Sequence, residues 1–565
     1  MADSRQWAEE RLIYVPDGWH ELIKSIHSAR LDAAQDIPPG TGAQSEAERL
    51  ANIWLFDTTE RMKWLRVPIN LKDWELCELA EQLAKRAMSL MEITPGRLMQ
   101  PAQLRKRLEQ FVANYGIAPP DEKIELAPAI ARMTDVLWWR RKLRIHQARL
   151  LEGEAINLGY VHRAAQIYAS DATVERRTQQ RRRNAMALAE TELENVDTGQ
   201  VYNLAELAEL SVANPKIRRG ELMVRIKGFE HIADGLGHVS EFVTVTTPSK
   251  YHPKTTSNGR VVDNPKFEGA TPRDAQKYLT KLWARTRAKL AREGIRVYGF
   301  RITEAHHDAT PHWHLLLFME PGHRKKFREI VLEYGMAEDG NEPGAKKNRV
   351  NFVAIDPSKG TAAGYIAKYV SKNIDGGGYQ VQGDVEGEGY ETVNTSPRIE
   401  SWASTWGIRQ FQQVGGPPVG VWRELRRTEI NQAVSQVVRD AHSAADTGNW
   451  RRFVEVMNGP TCERKHLPIR VAYTNKGERY LRRERRMVAK APNRYGEIAR
   501  NDVFGIVDVM RARVCVSRRY EWRVLGFEPG AARPWTRVNN CTHREEGQKV
   551  KNQTRNHYGG KNEHT

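Results

Sequence analysis

One stretch constrains this chain more than any other: Arg301-Ile-Thr-Glu304-Ala-His306-His307-Asp-Ala-Thr-Pro311-His312-Trp313-His314-Leu-Leu-Leu-Phe318. Apolar and β-branched residues on either side of a short polar segment predict two strands, Ile295 to Glu304 and His312 to Met319. The turn His306 to Thr310 joins them as a hairpin. Side chains at i and i+2 share a strand face, so His312 and His314 present two imidazoles side by side while Trp313 faces the other way.

The flanking sequence places that hairpin in a larger unit. Glu241 to Thr247 alternates and ends at Pro248, which reads as a strand. Thr271 to Glu293 carries Leu279, Leu282, Trp283 and Leu290 at helical spacing, opened by Thr-Pro and closed by Gly294. After the hairpin come a helix over about 322–334, a strand from Arg349 to Ile355 and a helix from Thr361 to Asn373. The order β-α-β-β-α-β-α is the split βαβ pattern, a ferredoxin/RRM-like four-stranded antiparallel sheet with helices on one face.

The fold class expected is therefore α+β, with this central domain over 231–375 and largely helical and mixed regions around it. Residues 1–230 read as helical and basic, an accessory region broken at Pro38-Pro39, Pro119-Pro120 and Pro215. A Gly-rich loop or linker is expected over 376–396, a C-terminal accessory domain over 397–535, and a disordered basic tail over 536–565.

Charge narrows the partners. The 565 residues hold 88 Lys and Arg against 70 Asp and Glu, a formal charge of +18. Cationic side chains near phosphates release counterions and gain affinity, so a polyanionic partner is expected. Residues 138–183, with Trp138-Trp139 among 11 basic and 4 acidic residues, are the densest basic run. Interleaved aromatics make it a candidate for duplex backbone contact as much as a solvated helix face. At 40% hydrophobic and 28% charged residues the chain is globular. No run approaches the roughly 20 apolar residues that span a bilayer, and no export signal opens the chain, so the expectation is a cytoplasmic protein without a membrane partner. Cys77, Cys462, Cys515 and Cys541 form no metal-ribbon spacing and are expected as free thiols. No Walker A context surrounds the Gly560-Lys561 pair, so no P-loop ATPase is visible.

Two constellations carry chemistry. A His pair on a strand is by itself usually packing, but Glu304 on the partner strand could close a two-nitrogen, one-oxygen metal site with open positions. His306 shares strand parity with Glu304 and is an alternative third ligand, although its place in a turn also suits a solvent-facing polar loop. The second constellation is Gly364-Tyr365-Ile-Ala-Lys368-Tyr369-Val-Ser-Lys372-Asn373. Residues four apart stack on one helix face, so Tyr365 and Tyr369 lie about 6 Å apart along the axis, with Lys368 and Lys372 near them. Tyrosines at this spacing ordinarily pack in a core. Beside a metal site they become candidate nucleophiles.

These motifs resemble the HUH endonucleases, specifically the two-tyrosine replication gene A proteins of tailed phages. Phe242-Val-Thr-Val-Thr-Thr-Pro-Ser-Lys-Tyr-His252 is similar to that family's first motif, His312-Trp-His314 to its metal motif, and Tyr365 to Tyr369 to its nucleophile motif. Ser401-Trp-Ala-Ser-Thr-Trp-Gly-Ile-Arg-Gln-Phe-Gln-Gln413 also looks like family sequence. The resemblance implies a site-specific nickase that starts rolling-circle replication through a 5′-phosphotyrosine. It implies Tyr365 and Tyr369 as nucleophiles, His312, His314 and Glu304 as ligands, and Mg²⁺ or Mn²⁺ as the working ion, although two imidazoles would also suit zinc. The implied partners are single-stranded and duplex origin DNA, with a separate host helicase and polymerase. The competing readings are a DNA-binding protein without catalysis and a metal-dependent hydrolase that uses water.

Overall fold

The computed structural model describes residues 2–35, 42–63, 65–94, 97–257, 259–355, 360–374, 392–430 and 433–526. It is a mixed α and β structure whose centre is a fully antiparallel five-stranded sheet. Its strands are β1 (Val239–Val245), β2 (Tyr298–Ala305), β3 (Pro311–Met319), β4 (Val350–Ala354) and β5 (Phe411–Val414), in spatial order β4-β1-β3-β2-β5. The expected four strands all form. The fifth corrects the expected strand number: Phe411–Val414, from the region expected to form a separate C-terminal domain, pairs with the open edge of β2, with Phe411 opposite Ile302 and Gln413 opposite Phe300. An uncovered edge presents a row of unpaired backbone groups, and this short strand satisfies the β2 row.

The placement of helices on one face also needs correction. The sheet is covered on both. On one side α2 (Pro272–Arg292) and α3 (Arg324–Gly335) pack Leu279, Leu282, Phe327 and Ile330 against Val243, Val245, Trp313, Leu315 and Leu317. On the other, α1 (Pro215–Leu236) and α4 (Ala362–Ile374) pack Ile226, Phe229, Ile366 and Val370 against Phe242, Phe300, Ile302, Leu316 and Phe318. Every residue of β2 and β3 is buried. A sheet flanked by helices on both sides takes near-continuous apolar strands, which is why Leu315 to Met319 shows no polar alternation.

Local signals set the element ends. Thr271 caps α2 with Asp274 as a reciprocal capping box and Pro272 opens the first turn, while Gly294 leaves the helix with φ of 71°. Helix α1 starts at Asn214-Pro215 and runs through position 230, the expected end of the N-terminal region, to Gly237 in the left-handed conformation. Its Glu230 Oε1 accepts a bond from the Ala363 N–H at 3.1 Å, tying α1 to the first turn of α4.

The aromatics of the basic run 138–183 do not lie on a surface, which corrects that part of its reading, and several of its arginines are held in internal ion pairs. Trp138 and Trp139 are buried in the core of the N-terminal helices with Leu104, Leu108 and Leu143. Arg144 forks onto Asp73 at 2.8 Å, and Arg177 and Arg181 meet Glu400 at 2.7 and 3.2 Å. Glu400 lies on α5 (Thr392–Trp406), which opens inside the expected linker at 392 and clamps the hairpin from outside the sheet. The rest of that linker, 376–391, and the expected tail lie outside the described residues. Cys77, Cys462 and Cys515 are free thiols. Among the described residues no helix is long and apolar enough to cross a membrane.

Candidate active site

Strand register builds the site. Glu304 on β2 lies directly opposite His312 on β3, Ile302 opposite His314, and Thr244 of β1 opposite His314 on the other side. Residues two apart share a face, so Glu304, His312, His314 and Thr244 all point to the side covered by α1 and α4. Trp313 points the other way, under the Arg301 guanidinium at 4.1 Å and donating from Nε1 to Gln276 at 3.0 Å.

Glu304, His312 and His314 converge there with one ligand atom each, all within 4.8 Å of one another, at 3 to 4% exposure. His312 Nε2 and His314 Nε2 are 2.9 Å apart, and His314 Nε2 is 3.6 Å from Glu304 Oε2. Two imidazole nitrogens in such contact, with a carboxylate beside them, are a donor set that a divalent cation satisfies in full. The far side is engaged for two of the three: Thr244 Oγ1 lies 3.0 Å from His314 Nδ1, and Asn373 donates to Glu304, whereas His312 Nδ1 is buried with no hydrogen-bond partner among the described residues. Burial acts to raise the Glu304 pKa, but the Lys372 ammonium, His314 and Asn373 outweigh it and hold the carboxylate at about 2. Burial drives the His312 pKa well below its ordinary value, which leaves a neutral ring with a lone pair to give.

His306 is not in the convergent group. It follows β2 and turns inward, half-buried, with its ring 4.0 Å from that of His312. The turn expected to face solvent is closed over: Asp308, Ala309 and Thr310 are buried, the His306 N–H bonds Thr310 O at 2.7 Å, and Trp402 of α5 donates to Ala309 O at 2.8 Å. His252 Nδ1 lies 2.8 Å from Asp308 Oδ2 and its Nε2 3.2 Å from Thr247 Oγ1. Burial would raise Asp308, but His252 holds it at about 2.

Helix α4 brings the tyrosines to this face. The Tyr369 ring sits 4.4 Å from that of His314 and stacks on Phe242 at 5.5 Å. Tyr365, one turn earlier and half-buried, meets the same Phe242 edge-on at 5.0 Å. Lys372 Nζ is 3.7 Å from Glu304 Oε2 and 5.1 Å from the Tyr168 ring centre, so its charge is directed at the carboxylate. Lys368 lies on α4, but its side chain lies outside the described residues. Asn373 bonds Tyr369 O at 2.7 Å, and its Oδ1 accepts from Gln410 Nε2 at 2.9 Å.

Sequence reasoning did not single out Thr244, His252, Asp308, Asn373, Gln410 or Tyr168. His252 and Thr244 lay inside the first quoted motif and Asn373 at the end of the tyrosine motif. Tyr168 stacks on His307 across more than a hundred residues of chain, with no local signal to reveal it.

Residues 77–377, just over half of the chain, match the family model described as "Bacteriophage replication gene A protein (GPA)". The "Replication gene A protein" of Escherichia phage 186 is 42% identical over 74% of this chain, which spans 60% of that relative. The "Probable replication protein P12" of Pseudoalteromonas phage PM2 is 33% identical over 95% of this chain and 85% of its own length. A "Probable replication endonuclease from prophage-like region" of Salmonella paratyphi A is 32% identical over 84% of this chain and 59% of its own. No solved structure matches. With a family-model match over more than half of its length, across the hairpin and the tyrosine helix, and 42% identity to the phage 186 protein, the chain belongs to the bacteriophage replication gene A protein family.

Proposed function

We propose that this protein is a site-specific single-strand DNA endonuclease and strand transferase that initiates rolling-circle replication of a phage or prophage. The observation that carries the reading is the Tyr369 ring 4.4 Å from His314, inside the buried Glu304, His312 and His314 group. The fold supports it. Strands β1 to β4, with α2 and α3 on one face, follow the order expected for an HUH-type ferredoxin-like core, and α4 lies on the opposite face, where a tyrosine can meet the histidines.

A phenol with a reference pKa near 10 is a weak nucleophile at neutral pH and needs help. Glu304, His312 and His314 would hold a divalent ion, Mg²⁺ or Mn²⁺, which supplies Lewis-acid polarisation of the scissile phosphate. The Tyr369 or Tyr365 oxygen attacks phosphorus and the bond from phosphorus to the 3′ oxygen breaks. The phenolic proton passes to the departing oxygen through solvent. The products are a 5′-phosphotyrosine and a free 3′-hydroxyl that primes synthesis. The bond energy stays in the covalent link, so no ATP is consumed. After displacement, the unused tyrosine cleaves the regenerated origin, and the new 3′-hydroxyl attacks the first link to release a circle. A helicase and polymerase from the host complete the process.

A DNA-binding protein without catalysis would present exposed stacking aromatics on the sheet face; here the aromatics of that face, Phe242, Phe300 and Phe318, are buried under α1 and α4 beside a carboxylate and two imidazoles. Labelled single-stranded DNA from the replicon encoding the protein, run on a denaturing gel, separates the readings. A covalent shift is expected. Tyr365→Phe or Tyr369→Phe alone leaves part of it and the double change removes it, whereas cleavage without attachment would mean a hydrolase.

A further inference from the structure

Away from the metal group, a cavity of about 750 Å³ opens along the outer edge of β5. Its lining includes Arg287, Arg409 and Arg464, together with Arg225, Arg296 and Arg423, against a single lining carboxylate, Glu463. Arg296 is paired with Glu463 and Arg423 with Glu221. Arg287, Arg409 and Arg464 are exposed and have no carboxylate within ion-pair distance among the described residues. The second large cavity, about 680 Å³ beside α5, is also arginine-rich, but there Arg144 and Arg183 reach Asp73 and Arg177 reaches Glu400. Charge in the first cavity is left over for an outside partner. Burial, with Arg423 and Arg409 opposing the pull of Glu221, brings the Arg225 pKa down to about 10, as expected where cations crowd.

The cavity also has an edge and a direction. Strand β5 pairs only with β2, so its outer backbone groups face the opening. Phe300 forms the inner wall of the cavity, and Ile302, between it and Glu304 on that face of β2, is fully buried, so the open way toward the metal group runs over β5 and Gln410. Gln410, beside the cavity-lining Phe411, bonds Asn373 at the metal group. A double helix is too wide to enter a space of this size. A single strand can lay phosphates on unpaired guanidinium groups and a base against Phe411.

We propose that this cavity is a track for single-stranded DNA that leads along β5 toward the scissile position. It rests on the nicking reading above for its choice of DNA as the polyanion. The test is fluorescence anisotropy of a labelled oligothymidylate, measured without nicking over a salt series, with the full chain and a variant carrying Arg287→Glu, Arg409→Glu and Arg464→Glu. The expected result is at least about a tenfold loss of affinity and a salt slope shallower by about 2, since each phosphate contact on a single strand contributes about 0.7. Unchanged affinity and slope in a variant with normal thermal melting would overturn it, as would an equal loss for a blunt duplex. If charge reversal prevents folding, the same three positions changed to Gln are read with the same expectation. Failure of the covalent shift in the unaltered protein would remove the nicking reading and leave this binding result standing on its own.

Discussion

Asn373 shows how few atoms hold the site together. One side-chain amide donates to Glu304 and to Tyr369 O, and its oxygen takes a bond from Gln410, so the candidate ligand Glu304, the tyrosine helix and the residue leading into the fifth strand meet at one side chain. Partners behind a metal ligand are ordinarily worth 10- to 100-fold in metal affinity, so Asn373→Ala is expected to weaken Mn²⁺ binding by about that factor in calorimetric titration. Unchanged affinity would mean that Glu304 needs no such support. His312→Ala with His314→Ala is expected to abolish metal-dependent nicking while leaving duplex affinity in gel-shift assays near that of the unaltered protein; equal loss of both would point to a structural role. The candidate ligands were legible in the sequence, because strand parity puts His312 and His314 on one face and a hairpin joined over 306–310 brings Glu304 opposite His312. His252, Asp308 and Gln410 were not, because their contacts join segments far apart in the chain and leave no local period.

Among the elements, the hairpin turn depends on α5. Trp402 is fully buried and its indole N–H holds Ala309 O, while Trp406 and Ile399 fill the same core with Tyr168 and Leu151. Trp402→Ala is expected to cost about 3–5 kcal/mol in urea denaturation, by the usual price of a large buried cavity, and to loosen the turn behind His306 and His312. A loss under about 1 kcal/mol would mean that the turn is held by its own bonds. The elements of the central sheet were readable from apolar periodicity, capping and the Thr-Pro and Gly punctuation around α2. Two features escaped. Phe411-Gln-Gln-Val414 is too short and too polar to signal a strand before β2 presents its edge. Trp138-Trp139 among arginines resembles a nucleic-acid surface until helical spacing to Leu143 turns the rings into the core.

At the scale of the whole molecule, the +18 charge divides into two uses. Many arginines of the N-terminal helices are spent on internal pairs such as Arg144 with Asp73, whereas the cavity along β5 keeps guanidinium groups without carboxylates. Chelation by EDTA is therefore expected to stop nicking while single-stranded DNA binding persists, and added Mn²⁺ to restore the nick; loss of binding on chelation would place the ion in the DNA contact itself. The central claim is covalent attachment through the tyrosine helix, and trypsin separates its two candidates, because Lys368 lies between Tyr365 and Tyr369. Mass spectrometry of the two peptides, after reaction with single-stranded DNA from the encoding replicon and nuclease trimming, tests that claim most directly. A nucleoside 5′-phosphate on Tyr365, Tyr369 or both is the predicted result; cut DNA with both tyrosines unmodified would contradict it.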